Sequence, residues 1–534
     1  MALRILVTDE VDPEGVALLT AVPEFAVDVL PTLPPAELLK RIGEYDAFVG
    51  RSATRVSSEF LAAAKRLKVV GRAGVGVDNV DIEKATELGI AVINAPAGNT
   101  IAVAELFFGT ILGLLRQIPD AALSMREGRW DRSKLMGTEL RGRTLGIVGV
   151  GRIGTEVSKR AHAFGMDVIG FDPYIGEDRF TALRVKRAAT LEQLLDVADI
   201  VTVHTPLTDE TRGLIGAKEL DRLKRGAIVV NMARGGIVND QALLDAIAAG
   251  HVAGAVLDVY EKEPLAADHP LRTTPNVLLT PHMGASTSEA QKNVAVDVAE
   301  AVRDALLSGE LSRSLNVATV SRDEWKELQP SMAAAQRAAA VARAVLASEG
   351  NREIRRVSLK LGPEIINGSD VILSSAALGV LEGVVESDRL NLINARTLAE
   401  LRGLELSVRE SDALGHPGAL EVCLMAGNRD LAVEAVAVPG APTRITRIGE
   451  FHVDVPPRKI LIVLTNNDVP GVIGRVGTVL GEARINIASY HQSRVNRGGK
   501  ALAAISVDDP VPEAVRQRLL SLPEVLSATV VTFR

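Results

Sequence analysis

Thr144-Leu145-Gly146-Ile147-Val148-Gly149-Val150-Gly151-Arg152-Ile153-Gly154 is the stretch on which the reading of this chain turns. Its first five residues form the short apolar run of a buried strand, and G-x-G-x-x-G follows at once. Ile153, Val157, Ala161 and Phe164 then fall on one face of a helix. Strand, glycine turn and helix in this order make a phosphate cradle, with Arg152 and Ile153 between the glycines. Gly149 permits the tight turn, Gly151 lets backbone approach a pyrophosphate, Gly154 lets helix and strand close up, and the helix N-terminus faces the phosphates. The next strand, residues 167–171, ends in Asp172, 18 residues after Gly154. A carboxylate there hydrogen-bonds ribose hydroxyls and repels a 2′-phosphate. Pro173-Tyr174-Ile175 brings no arginine, so the cofactor expected is NAD and not NADP. The competing role for Asp172 is a structural one, capping a turn.

Further strands of the same unit are expected at residues 200–203, 228–231, 255–258 and 277–280. Upstream, short β-branched runs at residues 5–7, 47–49, 69–70 and 91–93 alternate with helix-like stretches, which implies another parallel sheet. A helical pattern over residues 288–307 continues neither series and is expected to pack back on the first unit. Beyond Asn316 an Ala-rich helix to about residue 347 precedes strand-like runs near 355–361, 404–408, 420–425 and 432–438. Pro456-Pro457 marks a linker. The remainder reads β(460–464) α(471–482) β(487–494) β(502–507) α(511–520) β(527–532), a ferredoxin-like order. The fold class is therefore α/β with two doubly wound parallel-sheet domains, then an α+β domain and a ferredoxin-like βαββαβ domain. The expected boundaries are 1–98 with 285–316 for a discontinuous substrate domain, 99–284 for a Rossmann NAD domain, 317–455 and 456–534.

Several function classes fall away on composition. The 534 residues carry 60 Lys and Arg against 67 Asp and Glu, a formal charge of −7, so there is no net basic field for nucleic acid or an anionic membrane. The single cysteine, Cys423, lies in the apolar run 420–425 and excludes a disulfide framework; its expected role is buried bulk, and no metal site is expected. A signal peptide and an apolar span are not found, so a cytoplasmic protein is expected.

A hydride-transfer reaction with NAD needs a base at the substrate hydroxyl and a cation for a substrate carboxylate, both near C-terminal strand ends. Of the eight histidines, two end strands of the nucleotide unit: His204 in His-Thr-Pro-Leu and His282 in Pro-His-Met-Gly-Ala-Ser-Thr. Spacing alone does not choose between them.

Four ordered motifs add a resemblance. Gly149-Val150-Gly151-Arg152-Ile153-Gly154, Asn231-Met232-Ala233-Arg234-Gly235-Gly236, Asp258-Val259-Tyr260-Glu261-Lys262-Glu263-Pro264 and His282-Met283-Gly284-Ala285-Ser286-Thr287 resemble the D-2-hydroxyacid dehydrogenases. With Gly50-Arg51-Ser52, Arg72-Ala73-Gly74-Val75-Gly76-Val77-Asp78-Asn79 and Asn94-Ala95-Pro96-Ala97-Gly98-Asn99-Thr100, the chain is similar to the phosphoglycerate-oxidising branch of that family. The last domain resembles the ACT amino-acid-sensing domain, and residues 317–455 resemble the extra domain of the long form. The resemblance spans essentially the whole chain.

By motif position the resemblance implies that His282 is the acid/base, Glu263 its orienting carboxylate and Arg234 the carboxylate anchor, with His204 a cofactor-loop residue. It also implies that Thr205, Met232, Ala233, Asp258, Gly284 and Ala285 line the nicotinamide side. Arg51, Ala73, Gly74, Val75 and Asn99 would hold D-3-phosphoglycerate from the other domain, together with Arg234 and His282. Arg132 and Lys134 would lend charge across a subunit boundary or else form a solvated charge run. Arg444, Arg447, Arg458 and Lys459 are read as solvated charge, with a second phosphate-bearing ligand as the alternative. The ACT resemblance implies a homo-oligomer, a tetramer, inhibited by L-serine at an interface where Asp468 meets the ammonium and Asn486 makes the second contact. A glyoxylate or hydroxypyruvate reductase and an NAD-sensing corepressor are the alternatives, and neither is expected to carry the ACT-like tail.

Overall fold

The computed structural model describes residues 2–317, 320–382, 384, 389–437 and 443–533. The first sheet contains β1 (Leu3–Val7), β2 (Phe25–Val29), β3 (Ala47–Gly50), β4 (Val69–Arg72) and β5 (Ala91–Asn94), all parallel in the order β2-β1-β3-β4-β5. Edge strand β2 has no counterpart in the sequence reading, because Phe-Ala-Val-Asp-Val is short and only its first residue is fully buried. The second sheet contains β6 (Thr144–Val148), β7 (Asp167–Phe171), β8 (Lys186–Arg187), β9 (Ile200–Val203), β10 (Ala227–Asn231), β11 (Val252–Leu257) and β12 (Val277–Leu279). They are parallel in the order β12-β11-β10-β9-β6-β7-β8. Each sheet reverses its winding once, between β1 and β3 and between β6 and β9, and such switch points open a crevice at the C-terminal strand ends.

Helix Ser288–Ser308 starts at Thr287, whose hydroxyl caps the Ala290 N–H, and ends at left-handed Gly309. Its buried face, Val294, Ala295, Val298, Ala299 and Val302, packs in the core of the first sheet. Gly15 and Gly71 are glycine because a Cβ at either would lie 2.6–2.7 Å from this helix.

The next domain is a sheet of β13 (Ile354–Leu361), β14 (Glu405–Glu410), β15 (Ala419–Ala426), β16 (Arg429–Val436), β17 (Arg444–Ile448) and β18 (Phe451–Val455). It is ordered β14-β13-β15-β16-β17-β18, with only the β13–β14 pair parallel. Val438, placed in a strand by the sequence reading, lies outside the described residues. The hairpin β17–β18 was not expected, because β17 buries only Ile445 and Ile448 without a period of two, and β18, whose Phe451, Val453 and Val455 do alternate with polar residues, is short. Cys423 is a correction: Leu420, Val422 and Leu424 face the core, whereas Cys423 and Met425 face outward and are only partly buried. An unbroken apolar run does not reveal which face of a strand is covered.

The last sheet holds β19 (Ile460–Asn467), β20 (Ile487–Arg494), β21 (Lys500–Val507) and β22 (Val525–Thr532), antiparallel in the order β20-β21-β19-β22, the ferredoxin-like arrangement. Ile462, Leu464, Ala503 and Ile505 bury against its own helices. Leu461, Val463, Leu502, Ala504 and Val531 bury on the other face, in one core with Trp325, Val341 and Val345 of helix Arg322–Ser348. The proline pair thus separates two sheets that share a core.

Among the described residues no single helix is long and apolar enough to cross a membrane, and the one bent pair that passes by composition, Thr100–Leu115 with Ile118–Arg126, bends by 65°. The first of these helices buries Val103, Phe107 and Ile111 in the nucleotide-domain core.

Candidate active site

The glycine turn has the geometry that the three glycines were expected to serve. Gly149 adopts φ 91, and a Cβ on it would lie 2.8 Å from the His204 carbonyl oxygen. A Cβ on Gly154 would lie 2.3 Å from the Gly149 carbonyl oxygen, so helix Arg152–Ala163 seats directly on the turn. At Gly151, by contrast, a Cβ would meet nothing within 4 Å, and this residue caps the helix without any side-chain hydrogen bond. Open space beside uncapped helix N–H groups fits a bound pyrophosphate. Thr205 Oγ1 and Asn99 Oδ1 are buried without hydrogen-bond partners, as groups reserved for a ligand would be.

Asp172 plays the turn-capping part that competed with ribose binding in the sequence reading. One carboxylate oxygen accepts the Val150 N–H at 3.0 Å and the other the Tyr174 N–H at 3.0 Å. Each oxygen keeps a lone pair, so both roles are open to it.

The two candidate histidines differ sharply. His204 is partly buried, its Nε2 lies 3.0 Å from Thr202 Oγ1, and its buried Nδ1 has no partner. Burial pushes its pKa from 6.5 down to about 4. A ring so placed stays neutral and shielded. His282 is half exposed, and its Nδ1 is 2.7 Å from Glu263 Oε2. With a carboxylate as acceptor Nδ1 carries the proton, which leaves Nε2 as the ring's acceptor. Glu263 is itself fixed, because its Oε1 accepts the Tyr260 N–H at 3.1 Å. His282 adopts φ 51, a left-handed conformation unusual for a non-glycine residue. Asp258 accounts for the loop: its carboxylate accepts from Thr280 Oγ1, the Met283 N–H and the Gly284 N–H at 2.6–2.9 Å. At 1% exposure, Asp258 is buried beneath this loop and holds it. The Ala285 carbonyl is in turn held by Gln291.

Arg234 reaches across the cleft. Its Nε donates to Asp78 Oδ2 of the first domain at 2.9 Å, and its Nη1 to the Ala233 carbonyl at 2.7 Å. A Cβ on Gly76 would lie 1.9 Å from Nη2, so the guanidinium lies against that glycine. Asn231 braces the turn by donating to the Arg234 carbonyl and accepting the Ala233 N–H, while Met232 is buried beneath.

Facing it are the strand-end residues of the first sheet. Ala73 and Gly74 are buried, and the Val75 carbonyl accepts from Asn94 Nδ2. The sequence reading passed over Arg72, at the end of β4. Its Nε is buried without a partner, and a Cβ on Gly74 would overlap its guanidinium. Burial first, then the nearby positive charges of Arg234 and Arg51, push its pKa down to about 10. Three cations, Arg51, Arg72 and Arg234, thus converge on one cleft. The available signal was position: like Arg51, Arg72 ends a strand of a doubly wound sheet.

Other expected residues have different surroundings. Arg447 is neither solvated nor free: it pairs with Glu421 and Glu434 on the outer sheet face, and Arg444 pairs with Asp454. Lys134 pairs with Asp131. Asp468 pairs with Arg494 at 2.8 Å and accepts the Gly498 N–H at 3.1 Å, while Asn486 donates to Asp508 at 2.6 Å. Within one chain these two residues share no hydrogen bond. Among the described residues no group of three His, Cys, Asp or Glu side chains is arranged to hold a metal ion.

Comparison with known proteins agrees with this architecture. Residues 108–284 match the D-isomer specific 2-hydroxyacid dehydrogenase NAD binding domain, and residues 459–524 match the ACT domain. The chain is 37% identical to D-3-phosphoglycerate dehydrogenase of Methanocaldococcus jannaschii over 530 residues, covering 99% of each. It is 38% identical to D-3-phosphoglycerate dehydrogenase of Bacillus subtilis over 531 residues, again covering 99% of each. Among solved structures, the NAD-dependent formate dehydrogenase of Staphylococcus aureus in complex with NAD superposes with a TM-score of 0.52 at 29% identity, covering 60% of this chain and all of that one. A nucleotide cradle, a histidine–carboxylate pair at its rim and relatives matched end to end lead to one assignment: the chain belongs to the NAD-dependent D-3-phosphoglycerate dehydrogenases of the D-2-hydroxyacid dehydrogenase family.

Proposed function

We propose that this chain oxidises D-3-phosphoglycerate to 3-phosphohydroxypyruvate with NAD, the first step of L-serine synthesis. The observation that carries the reading is the His282–Glu263 pair at the rim of a cleft whose other wall holds Arg51 and Arg72. NAD, when bound, supplies the acceptor for the hydride leaving carbon 2. Nε2 of His282 takes the hydroxyl proton, so alkoxide character builds as the carbon–hydrogen bond breaks, and Glu263 steadies the imidazolium. Arg234 holds the carboxylate, and with Arg51 and Arg72 opposite, a phosphate at the far end of a three-carbon acid meets its own cations. The neutral His204 serves the cofactor loop. NADH formation with D-3-phosphoglycerate, assayed beside glyoxylate and hydroxypyruvate reduction, tests the reading. A protein active only as a reductase of the unphosphorylated acids, or inactive altogether, overturns it.

The cofactor preference follows from Asp172. Asp172→Ala removes a ribose acceptor, a charge that repels a 2′-phosphate and the anchor of the Val150 N–H. A charge-assisted hydrogen bond contributes about 1.5–3 kcal/mol. The NAD-over-NADP ratio of kcat/KM is expected to fall roughly 10- to 100-fold, with maximal rate changing less. An unchanged ratio in steady-state kinetics with both cofactors would leave Asp172 only its turn-capping role.

We further infer a cytoplasmic homo-oligomer, a tetramer, inhibited by L-serine. Trp130 and Met136 are 79% and 83% exposed, beside Ile118, Leu123 and Met125, an apolar surface suited to a second copy. Arg132 lies within this segment and in such an assembly would extend toward the neighbouring cleft. In the ACT domain left-handed Gly471 opens helix Val472–Glu482 without a side-chain cap, so its N–H groups are available to an amino-acid carboxylate. Asp468 and Asn486 come together only if a second chain supplies one of them. Serine must then favour a less active arrangement, since a ligand that binds all states equally shifts nothing. Deleting the ACT domain would strip the cover from helix Arg322–Ser348, so point variants make the cleaner test. Full-length enzyme is expected to lose serine inhibition on Asn486→Ala while its rate without serine is kept. Serine-insensitive wild type, or a fully sensitive variant, would refute the regulatory reading.

A further inference from the structure

The switch point of the first sheet lies between β1 and β3. Arg51 directly follows β3, and what fixes it there is Asp9, two residues past β1. Asp9 is 4% exposed. Its Oδ2 accepts the Arg51 N–H at 2.9 Å and the Thr54 N–H at 3.0 Å, and its Oδ1 accepts the Thr54 hydroxyl at 2.7 Å. From the opposite side Asn79 Nδ2 donates to the Arg51 carbonyl at 3.0 Å and the Thr54 carbonyl at 2.6 Å. The loop carrying Arg51 is therefore held at both its N–H and its C=O by side chains from the loops that follow two other strands, β1 and β4. Asp9 and Glu10 are both left-handed, at φ 62 and φ 53. Successive non-glycine residues hold this conformation only where their surroundings over-determine it.

Asp9 takes part in no ion pair with Lys, Arg or His among the described residues. Its hydrogen bonds are to neutral groups, so its charge acts on the cluster in front of it, where Asp78 first and Asp9 after it favour the charged form of Arg72. Arg51 and Arg234, by contrast, disfavour that form.

We propose that Asp9 is a positioning residue for the phosphate end of the substrate: it sets the Arg51 backbone and offsets the repulsion among Arg51, Arg72 and Arg234, keeping the cluster assembled before a phosphate arrives. The inference rests on the reading above that Arg51 meets the phosphate. Asp78 remains as counter-charge on the Arg234 side when Asp9 is lost, but the Arg51 side loses both its counter-charge and its backbone anchor; binding must then restore the geometry there, which weakens affinity for the dianion while leaving proton and hydride transfer intact.

The test is steady-state kinetics of full-length Asp9→Asn, Thr54→Val and Arg51→Ala, with D-glycerate as an unphosphorylated competitor. Asp9→Asn keeps the size of the side chain but turns an acceptor into a donor facing N–H groups. Its KM for D-3-phosphoglycerate is expected to rise about tenfold or more, with kcat and the D-glycerate inhibition constant within about threefold of wild type. Thr54→Val removes one hydrogen bond to Asp9 and is expected to show a smaller, equally selective rise; it carries the test if Asp9→Asn does not accumulate as folded protein. If Arg51→Ala raises the KM selectively and the folded Asp9 and Thr54 variants do not, the inference about Asp9 fails alone. If Arg51→Ala shows no such selectivity, the phosphate reading of Arg51 fails with it. A fall in kcat that matches the rise in KM would make Asp9 a general structural residue and overturn the proposal.

Discussion

His282→Ala is expected to lose roughly 100- to 10,000-fold in turnover, the span typical of removing a general base, while NAD affinity changes little. The expectation rests on the division of labour in the ring: Nδ1 is committed to Glu263 at 2.7 Å, so Nε2 is the only ring atom left to accept a proton. Because Glu263 is held by the Tyr260 N–H and the loop by Asp258, the substitution removes the base without releasing its supports. Glu263→Gln retains a hydrogen-bond acceptor but not the charge that stabilises imidazolium, and falls between wild type and His282→Ala. Pre-steady-state NADH formation and cofactor titration check both statements. Were His204→Ala to abolish turnover while His282→Ala did not, the assignment of the base would be wrong. The lowered pKa of His204, about 4, argues against that outcome, since a ring held neutral at that level is a weak proton acceptor.

Arg234→Lys is expected to lower kcat/KM roughly 10- to 100-fold, with kcat and KM both deteriorating. Arginine here directs Nε to Asp78 and Nη1 to the Ala233 carbonyl, which fixes the plane of the guanidinium and leaves Nη2, beside Gly76, for the substrate carboxylate. Lysine offers a point charge with no fixed plane and cannot satisfy Asp78 and a substrate carboxylate in that geometry. A charge-assisted hydrogen bond is worth about 1.5–3 kcal/mol. A carboxylate held off line also moves the transferring hydrogen away from the ring that accepts it, which is why turnover falls with binding. A rise in KM alone would mean that Arg234 binds ground and transition states equally and has no part in alignment.

The pattern of elements was legible in the sequence because its signals are local. The run 144–154 announces strand, turn and helix through apolar residues and glycines a few positions apart, and β6, β7, β9 and β20 span the residues expected of them. The ferredoxin-like order of the tail and the nucleotide cradle follow from spacing in the same way, whereas the Glu263–His282 pairing came only from the family resemblance. Short strands such as β2, apolar but for Asp28, and β17, where only Ile445 and Ile448 are buried, carry too little periodicity to be read, and the apolar run around Cys423 conceals which side of its sheet is covered. Tertiary structure alone decided which charges are neighbours. Asp9 meets the Arg51 N–H across 42 residues of chain, and Asp78 meets Arg234 across 156. Arg72 becomes a partly buried cation because Gly74 has no side chain to displace its guanidinium, and the second domain brings Arg234 near it. The ACT sheet is covered on both faces only because helix Arg322–Ser348 lies against it. Periodicity and turn chemistry are written within a few residues, whereas burial and electrostatic partnership depend on which strand ends the two parallel sheets bring together, a property of the assembled fold.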